Sequence, residues 1–251
     1  MAVIVTRPAR EAARWAARLR ERGIEATVLP LLAIGAPPDI QGLRRLAAEA
    51  DRFGAVMFVS ANAVHGFFAV DPVFERARAW APGPATRDAL LASAVPAARI
   101  DAPSESAEQF DSENLWQQVR GQLGAGGCLL LVRGADAEGR SQGRDWLAQQ
   151  LAAQGVRVQT VAAYSRELPQ WTAQEQEAAR RAAADGSTWL FSSSEAAGNL
   201  QRLLRGQDWS RARAIATHPR IAAAVRALGF GEVGECRPAF EDVIASIESH
   251  R

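Results

Sequence analysis

The stretch VIVTRPAREAARWAARLRERGIEATVLPLL, residues 3–32, decides the fold class. The run AVIVT over 2–6 is apolar and β-branched, which predicts a strand. Residues 11–22 then place Ala12, Trp15, Ala16 and Leu19 on one side of a helix. Gly23 follows at the position where a left-handed residue ends a helix, and ATVLP (26–30) reads as a second strand. The alternation continues, with strands predicted at 55–59, 128–132, 156–163, 188–191 and 213–217 and alanine- and arginine-rich helical stretches between them. Alternation over a whole chain predicts parallel sheets covered by helices on both faces, an α/β architecture.

The opening stretch has a second copy. LLVRGADAEGRSQGRDWLAQQLAAQGVRVQTVAAY (130–164) repeats its order of strand, strand-end arginine, helix, glycine and strand, with Arg133 for Arg7 and Gly155 for Gly23. A different unit also occurs twice. FVSANAV (58–64) and LFSSSEA (190–196) each run from an apolar strand through small polar residues into a helix. GPATRDALLASAV (83–95) follows the first and HPRIAAAVRALGF (218–230) the second. This order predicts a duplicated half-molecule: two similar parallel-sheet lobes, flavodoxin-like or Rossmann-like, with a cleft between them. The proline-bearing segments 30–38 and 163–169 lie at equivalent points and read as connectors. Periodicity leaves open whether each lobe keeps its own two units or exchanges one.

Composition narrows the function classes. At 251 residues the chain suits one large domain or two small ones. A net charge of +1 gives no electrostatic case for a nucleic-acid or membrane-surface partner. The chain contains no lysine, and its 29 basic residues are all arginine. That excludes a Schiff-base lysine, a phosphate-loop lysine and a lysine general base, so an anion site must use arginine or backbone N–H groups. Cys128 and Cys236 are far apart in sequence, which predicts a reduced protein. With no signal-peptide pattern and no apolar run near ~20 residues, a cytoplasmic location is expected. Histidines 65, 218 and 250 have no zinc-ligand spacing, so no metal is expected. GFGEVG (229–234) matches a dinucleotide spacing but follows a helix rather than a strand, so no nucleotide cofactor is expected either.

The repeated corners hold the candidate site. A strand's carboxyl end entering a helix leaves free N–H groups with positive potential, where open α/β sheets bind ligands. Ser60 and Asn62 in one copy, and Ser192, Ser193 and Ser194 in the other, are candidate N-caps and anion contacts. Capping alone explains any one of them; their repetition supports a shared binding role. Gly83-Pro84 and His218-Pro219 open the next helices, which places Thr86 and His218 at the mouth of the expected cleft. Arg7 and Arg133 end equivalent strands, either solvated or in contact with an anion, and Arg140 and Arg144 on a following helix extend a positive rim. Tyr164 is the only tyrosine; its phenol either packs or donates a proton. The seven tryptophans read as packing residues at helical positions.

Taken in order, VIVTRP…VLPLL, FVSANAV, GPATRDAL, LLVRGADAEGR, GVRVQTVAAYSR, FSSSEAAGNL and ATHPRIAAAVRALGF resemble the bacterial uroporphyrinogen-III synthase family over essentially the whole chain. Pro82 stands where that pattern has an aliphatic residue, and the acidic stretch SESAEQFDSEN (104–114) reads as a surface loop. The resemblance implies a discontinuous first lobe, 1–34 and 168–251, a second lobe, 35–167, and two strand-like connectors. It implies a cofactor-independent lyase of haem biosynthesis acting on hydroxymethylbilane, a linear tetrapyrrole with eight carboxylates. The substrate loses water, its last pyrrole ring is inverted through a spiro intermediate, and the macrocycle closes. Tyr164 matches the family's tyrosine and is the candidate acid; Ser60, Thr86, Ser192 and Ser194 match polar positions of the binding surface. A monomer supplied by hydroxymethylbilane synthase is expected. The alternative is a non-catalytic ligand-binding or regulatory module of the same fold.

Overall fold

The computed structural model describes residues 2–104, 110–136, 138–140 and 146–249. The strands are β1 (Val3–Val5), β2 (Ala26–Val28), β3 (Ala33–Gly35), β4 (Ala55–Phe58), β5 (Arg78–Trp80), β6 (Ile100–Asp101), β7 (Cys128–Ala135), β8 (Arg157–Glu167), β9 (Thr188–Phe191), β10 (Arg213–Ala216) and β11 (Glu232–Glu235). The helices are α1 (Ala9–Glu21), α2 (Ile40–Ala48), α3 (Ala61–Phe68), α4 (Pro84–Ala92), α5 (Ser112–Val119), α6 (Trp146–Ala153), α7 (Ala173–Ala182), α8 (Ser194–Leu203), α9 (Pro219–Ala227) and α10 (Phe240–Ser249). The chain divides into two compact units, Met1–Ala33 with Glu167–Arg251, and Ile34–Arg166.

The first unit is built on a five-stranded sheet in the order β11-β10-β9-β1-β2, with its neighbours parallel. Its strands are apolar on both faces because both are covered. Val3, Val5, Leu190 and Ile215 pack with α1 and α10. Ile4, Trp189, Phe191 and Ala214 pack on the other side with α7, α8 and α9. The period of two puts each successive residue into a different core. Gly23, with φ 71, ends α1 after Arg22 and lets the chain turn into β2, as the sequence predicts.

The second unit has a six-stranded sheet, β3-β8-β7-β4-β5-β6. Val56, Phe58, Leu130 and Val132 face α2, α3 and α4. Ala55, Met57, Leu129 and Leu131 face α5 and α6. The two sheets answer the question that periodicity leaves open. Strands β1 and β2 lie beside β9, β10 and β11, whereas β7 and β8 lie beside β4, β5 and β6. Each sheet therefore combines the first repeat unit of one half with the second unit of the other.

Both connectors are strand-like, as the resemblance implies: β8 runs on to Glu167 within 163–169, and β3 lies inside 30–38. Several local expectations are corrected. Arg140 is not on a helix: Asp136 Oδ1 accepts from the Glu138 and Arg140 N–H groups and closes a turn there. Arg144 lies outside the described residues. Within 104–114, Asp111 caps α5 by accepting from the Asn114 N–H, so the end of that stretch starts a helix rather than continuing a loop. Only Trp15, Trp116 and Trp146 are helical; Trp80 and Trp189 are fully buried on strands, and Trp171 and Trp209 lie between elements.

Candidate functional site

Apart from β3, which adds a sixth strand at the edge of the second sheet beside β8, both sheets share one strand order when renumbered from the arginine-bearing strand: second, first, third, fourth, fifth. From β1 the chain moves to β2 on one side, and from β9 to β10 on the other; β7 and β4 are related in the same way. Such a reversal opens a crevice outside the strand ends. Arg7 and the Ser192–Ser194 corner stand at the reversal of the first unit, Arg133 and Ser60 at that of the second.

In the first unit, Thr6 Oγ1 donates to the Leu190 carbonyl at 2.6 Å and ties the ends of β1 and β9 together. Arg7 is buried, 8% exposed, rather than solvated. Its guanidinium lies 4.2 Å from the centre of the Trp15 ring, and Nη1 donates to Glu11 Oε2 at 3.4 Å. Burial pushes the Arg7 pKa down, and the Glu11 carboxylate opposes that shift. Ser193, not Ser192 or Ser194, caps α8: its Oγ accepts from the Glu195 N–H at 3.2 Å, with Ser194 already the first helical residue. His218 caps α9 through Nδ1, which accepts from the Arg220 N–H at 3.1 Å. Burial raises the Cys236 thiol to about 12, so it carries no thiolate near neutral pH.

The second unit builds its corner differently. Ser60 caps α3, its Oγ accepting from the Ala63 N–H at 3.2 Å. Asn62 lies inside the helix, two positions past the Ser60 cap. Ser60 Oγ lies 3.1 Å from Tyr164 Oη, a direct contact between two predicted site residues. Three features place that phenol. The pairing of β7 with β8 shifts between Arg133, opposite Ala162, and Gly134, opposite Tyr164, so Ala163 is the extra residue of a bulge. A bulge re-aims the following side chain, and Tyr164 joins Val161 and Ala163 in the core beneath α3. Gly134 has no side chain where one would collide with the ring: a Cβ there would lie 2.6 Å from Tyr164 Cε2 and Cζ. Gly66 on α3 has no side chain opposite the Ala163 carbonyl. The ring is 7% exposed.

The remaining candidates sit as follows. Arg133 is 4% exposed, also buried rather than solvated. Thr86 is 4% exposed and lies in the first turn of α4, after Gly83 at the cap and Pro84 as the first helical residue. Gly66 and Gly134 were not among the sequence candidates. The one signal for Gly134 is its place directly after Arg133, the arginine expected at a strand end, although β7 in fact runs on to Ala135. Among the described residues no group of three or more His, Cys, Asp or Glu gathers to hold a metal ion, and no helix is long and apolar enough to cross a membrane.

The fold is similar to that of the uroporphyrinogen-III synthetase of Helicobacter pylori, at 16% identity over all of both chains with a TM-score of 0.62. It is also similar to a mutant uroporphyrinogen III synthase of Thermus thermophilus, at 16% identity over all of this chain and 98% of that one, with a TM-score of 0.56. The family model described as uroporphyrinogen-III synthase HemD matches residues 13–245. That match takes in every strand except β1, and the chain belongs to the uroporphyrinogen-III synthase family.

Proposed function

We propose that this chain is a cofactor-independent, cyclising lyase that converts hydroxymethylbilane to uroporphyrinogen III, with Tyr164 as the proton donor. The observation that carries the reading is the buried phenol held 3.1 Å from a helix-capping serine at a sheet's reversal point. Breaking the bond between the terminal carbon and its hydroxyl needs a proton on the departing oxygen, and Tyr164 supplies it. The electron pair leaves with water, and the pyrrole stabilises the cation that remains. The last ring attacks through its substituted carbon, and the spiro product fragments and recloses with that ring inverted. Closure without inversion competes in solution, so holding the chain in the spiro geometry is the protein's main contribution. Positioning of this kind is worth up to roughly 7–11 kcal/mol.

The substrate's carboxylates need cationic or N–H partners. Arg7 and the Ser193-capped end of α8 in one unit, and Arg133 and the end of α3 in the other, have the chemistry for them. Ser192 and Ser194 belong to the α8 corner and Asn62 to the first turn of α3, while His218 and Thr86 stand at the starts of α9 and α4, and each is proposed as a further carboxylate contact. The chain acts as a cytoplasmic monomer that receives its unstable substrate from hydroxymethylbilane synthase.

The test is to supply enzymatically generated hydroxymethylbilane and separate the type I and type III isomers. Wild type is expected to give type III. Tyr164→Phe is expected to lower that turnover by about 10-fold to 10,000-fold. Type I alone from the wild type would identify a non-catalytic module of this fold, and near-normal turnover by Tyr164→Phe would remove the phenol from the acid role.

A further inference from the structure

The geometry points to Ser60 and Gly134 as positioning residues that fix the direction of the hydrogen bond at the Tyr164 phenol: Ser60 donates and Tyr164 accepts. This rests on the reading of Tyr164 as the acid. Ser60 Oγ and Tyr164 Oη are 3.1 Å apart, a distance at which either hydroxyl can donate. The surroundings of Ser60 break the tie. Its Oγ already accepts the Ala63 N–H at 3.2 Å. It also sits at the first turn of α3, where free N–H groups create positive potential. Both make its oxygen a poorer acceptor and its O–H a better donor. The phenol's own proton is then available to a partner other than Ser60.

The same arrangement serves the step that follows. When Tyr164 gives its proton to the departing hydroxyl, the charge left on Oη meets the Ser60 O–H and the positive end of α3. The proton lost from the last ring on reclosure restores the phenol, so the cycle releases one water and needs no other reactant. Gly134 keeps the ring in place for this. A Cβ at that position would lie 2.6 Å from Cε2 and Cζ and 2.9 Å from Oη, so any side chain pushes the ring off the serine.

Tyr164 is the only tyrosine, so the ultraviolet absorbance of phenolate reads this one group. Glycine is a tolerated N-cap, so Ser60→Gly removes the donor with little loss of stability. Its phenol titration is expected to move up by roughly half to one pH unit. Its kcat falls about 10-fold with KM nearly unchanged, and Ser60→Thr restores both. Gly134→Ala is expected to lower kcat roughly 100-fold through misplacement of the ring. Ser60→Gly added to it should cost little more.

An unmoved or lowered titration in Ser60→Gly overturns the proposed direction, since the phenol would then be the donor. A raised KM with the titration unmoved makes Ser60 a carboxylate contact only. If the titration shifts but Tyr164→Phe keeps its activity, the hydrogen-bond direction stands and the acid reading fails instead.

Discussion

Six residues after the Ser193 cap stands Asn199, and six after the Ser60 cap stands Gly66. Asn199 Nδ2 donates to the Leu31 carbonyl at 2.9 Å. Gly66 sits so close to the Ala163 carbonyl that an added Cβ would lie 2.1 Å from the oxygen. Leu31 and Ala163 are themselves equivalent, each eight residues beyond the glycine that ends the preceding helix, Gly23 or Gly155. The same carbonyl therefore meets an amide side chain in one unit and bare helix backbone in the other. The residue after it is Leu32 in the first unit and Tyr164 in the second. The repeated scaffold gives both units a serine-capped corner. Only the second has lost the side chain between helix and strand and gained a phenol at the cap.

That contrast breaks most easily at Gly66. Gly66→Ala cannot be accommodated by rotating a side chain, because the obstacle is backbone. It is expected to cost about 3 kcal/mol, read from the denaturant midpoint, and to lower type III turnover by displacing α3 and Ser60 together. Gly66→Asn, which imposes the first unit's residue on the second, should be worse. A midpoint shift under about 0.5 kcal/mol for Gly66→Ala would mean that the close approach is not a constraint, since that is the range of neutral surface changes. The reciprocal change is milder. Asn199→Ala leaves the buried Leu31 carbonyl without its amide donor and is expected to cost about 2 kcal/mol. The phenol titration of Tyr164 should not move, because the lesion lies in the other unit.

The legible part of the fold was the part with local pattern. Ile4 and Leu190 sit in strands whose apolar runs are bounded by polar residues, and the glycines 23 and 155 mark helix ends by rules that act within a few residues. Strands β5, β6 and β11 were less legible, since two to four residues such as Arg78–Trp80 carry too little periodicity to separate them from a loop. At the site, the serines and Tyr164 were visible as residue types, but their contact was not. It depends on a one-residue bulge at Ala163 and on two glycines whose neighbours are 97 and 30 positions away in sequence, Ala163 for Gly66 and Tyr164 for Gly134. A glycine required by a distant carbonyl looks, in sequence, like any other. Arg7 and Arg133 were legible only as solvated or anion-binding; the burial of Arg7 depends on the Trp15 ring over its guanidinium, and β7 runs two residues past Arg133.

The turns that lead into β9 and β4 give a smaller contrast. Asp185 accepts locally, from the Ser187 N–H at 2.9 Å. Asp51 instead reaches the N–H groups of Glu75, Arg76 and Ala77 and ties the turn before β4 to the segment entering β5. Burial alone would raise its pKa, but those three N–H groups together with Arg76 hold it below the ordinary value. A carboxyl depressed on folding stabilises the fold above its unfolded pKa, about 3.9, and loses that contribution as pH falls through the lower folded value. Asp51→Asn should therefore cost about 1 kcal/mol at neutral pH. The gap from wild type should close on acidification below the carboxylate range. A gap independent of pH would assign the effect to shape rather than charge.

The smallest expected effect concerns the second pair of helix starts. His218 caps α9 with its ring nitrogen, while Gly83 begins α4 with no side-chain cap. Nothing steric prevents one. Gly83 has extended backbone, φ −158, and a Cβ there would meet only the Phe110 Cβ, at an ordinary 3.7 Å. Serine at this position should thus stabilise the protein by a few tenths of a kcal/mol, the usual margin of serine over glycine as an N-cap. A helix that begins without so easily available a cap leaves the Ala85 N–H of α4 without a side-chain acceptor, since Pro84 has no N–H and the Thr86 N–H donates to the Gly83 carbonyl, and in the proposed function a substrate carboxylate takes it. Gly83→Ser should then raise KM severalfold at unchanged kcat, because its hydroxyl occupies a donor that served ground state and transition state alike. If the serine stabilises the fold and leaves KM alone, Gly83 is simply an imperfect cap, and α4 drops out of the binding surface that Ser60 and Tyr164 define.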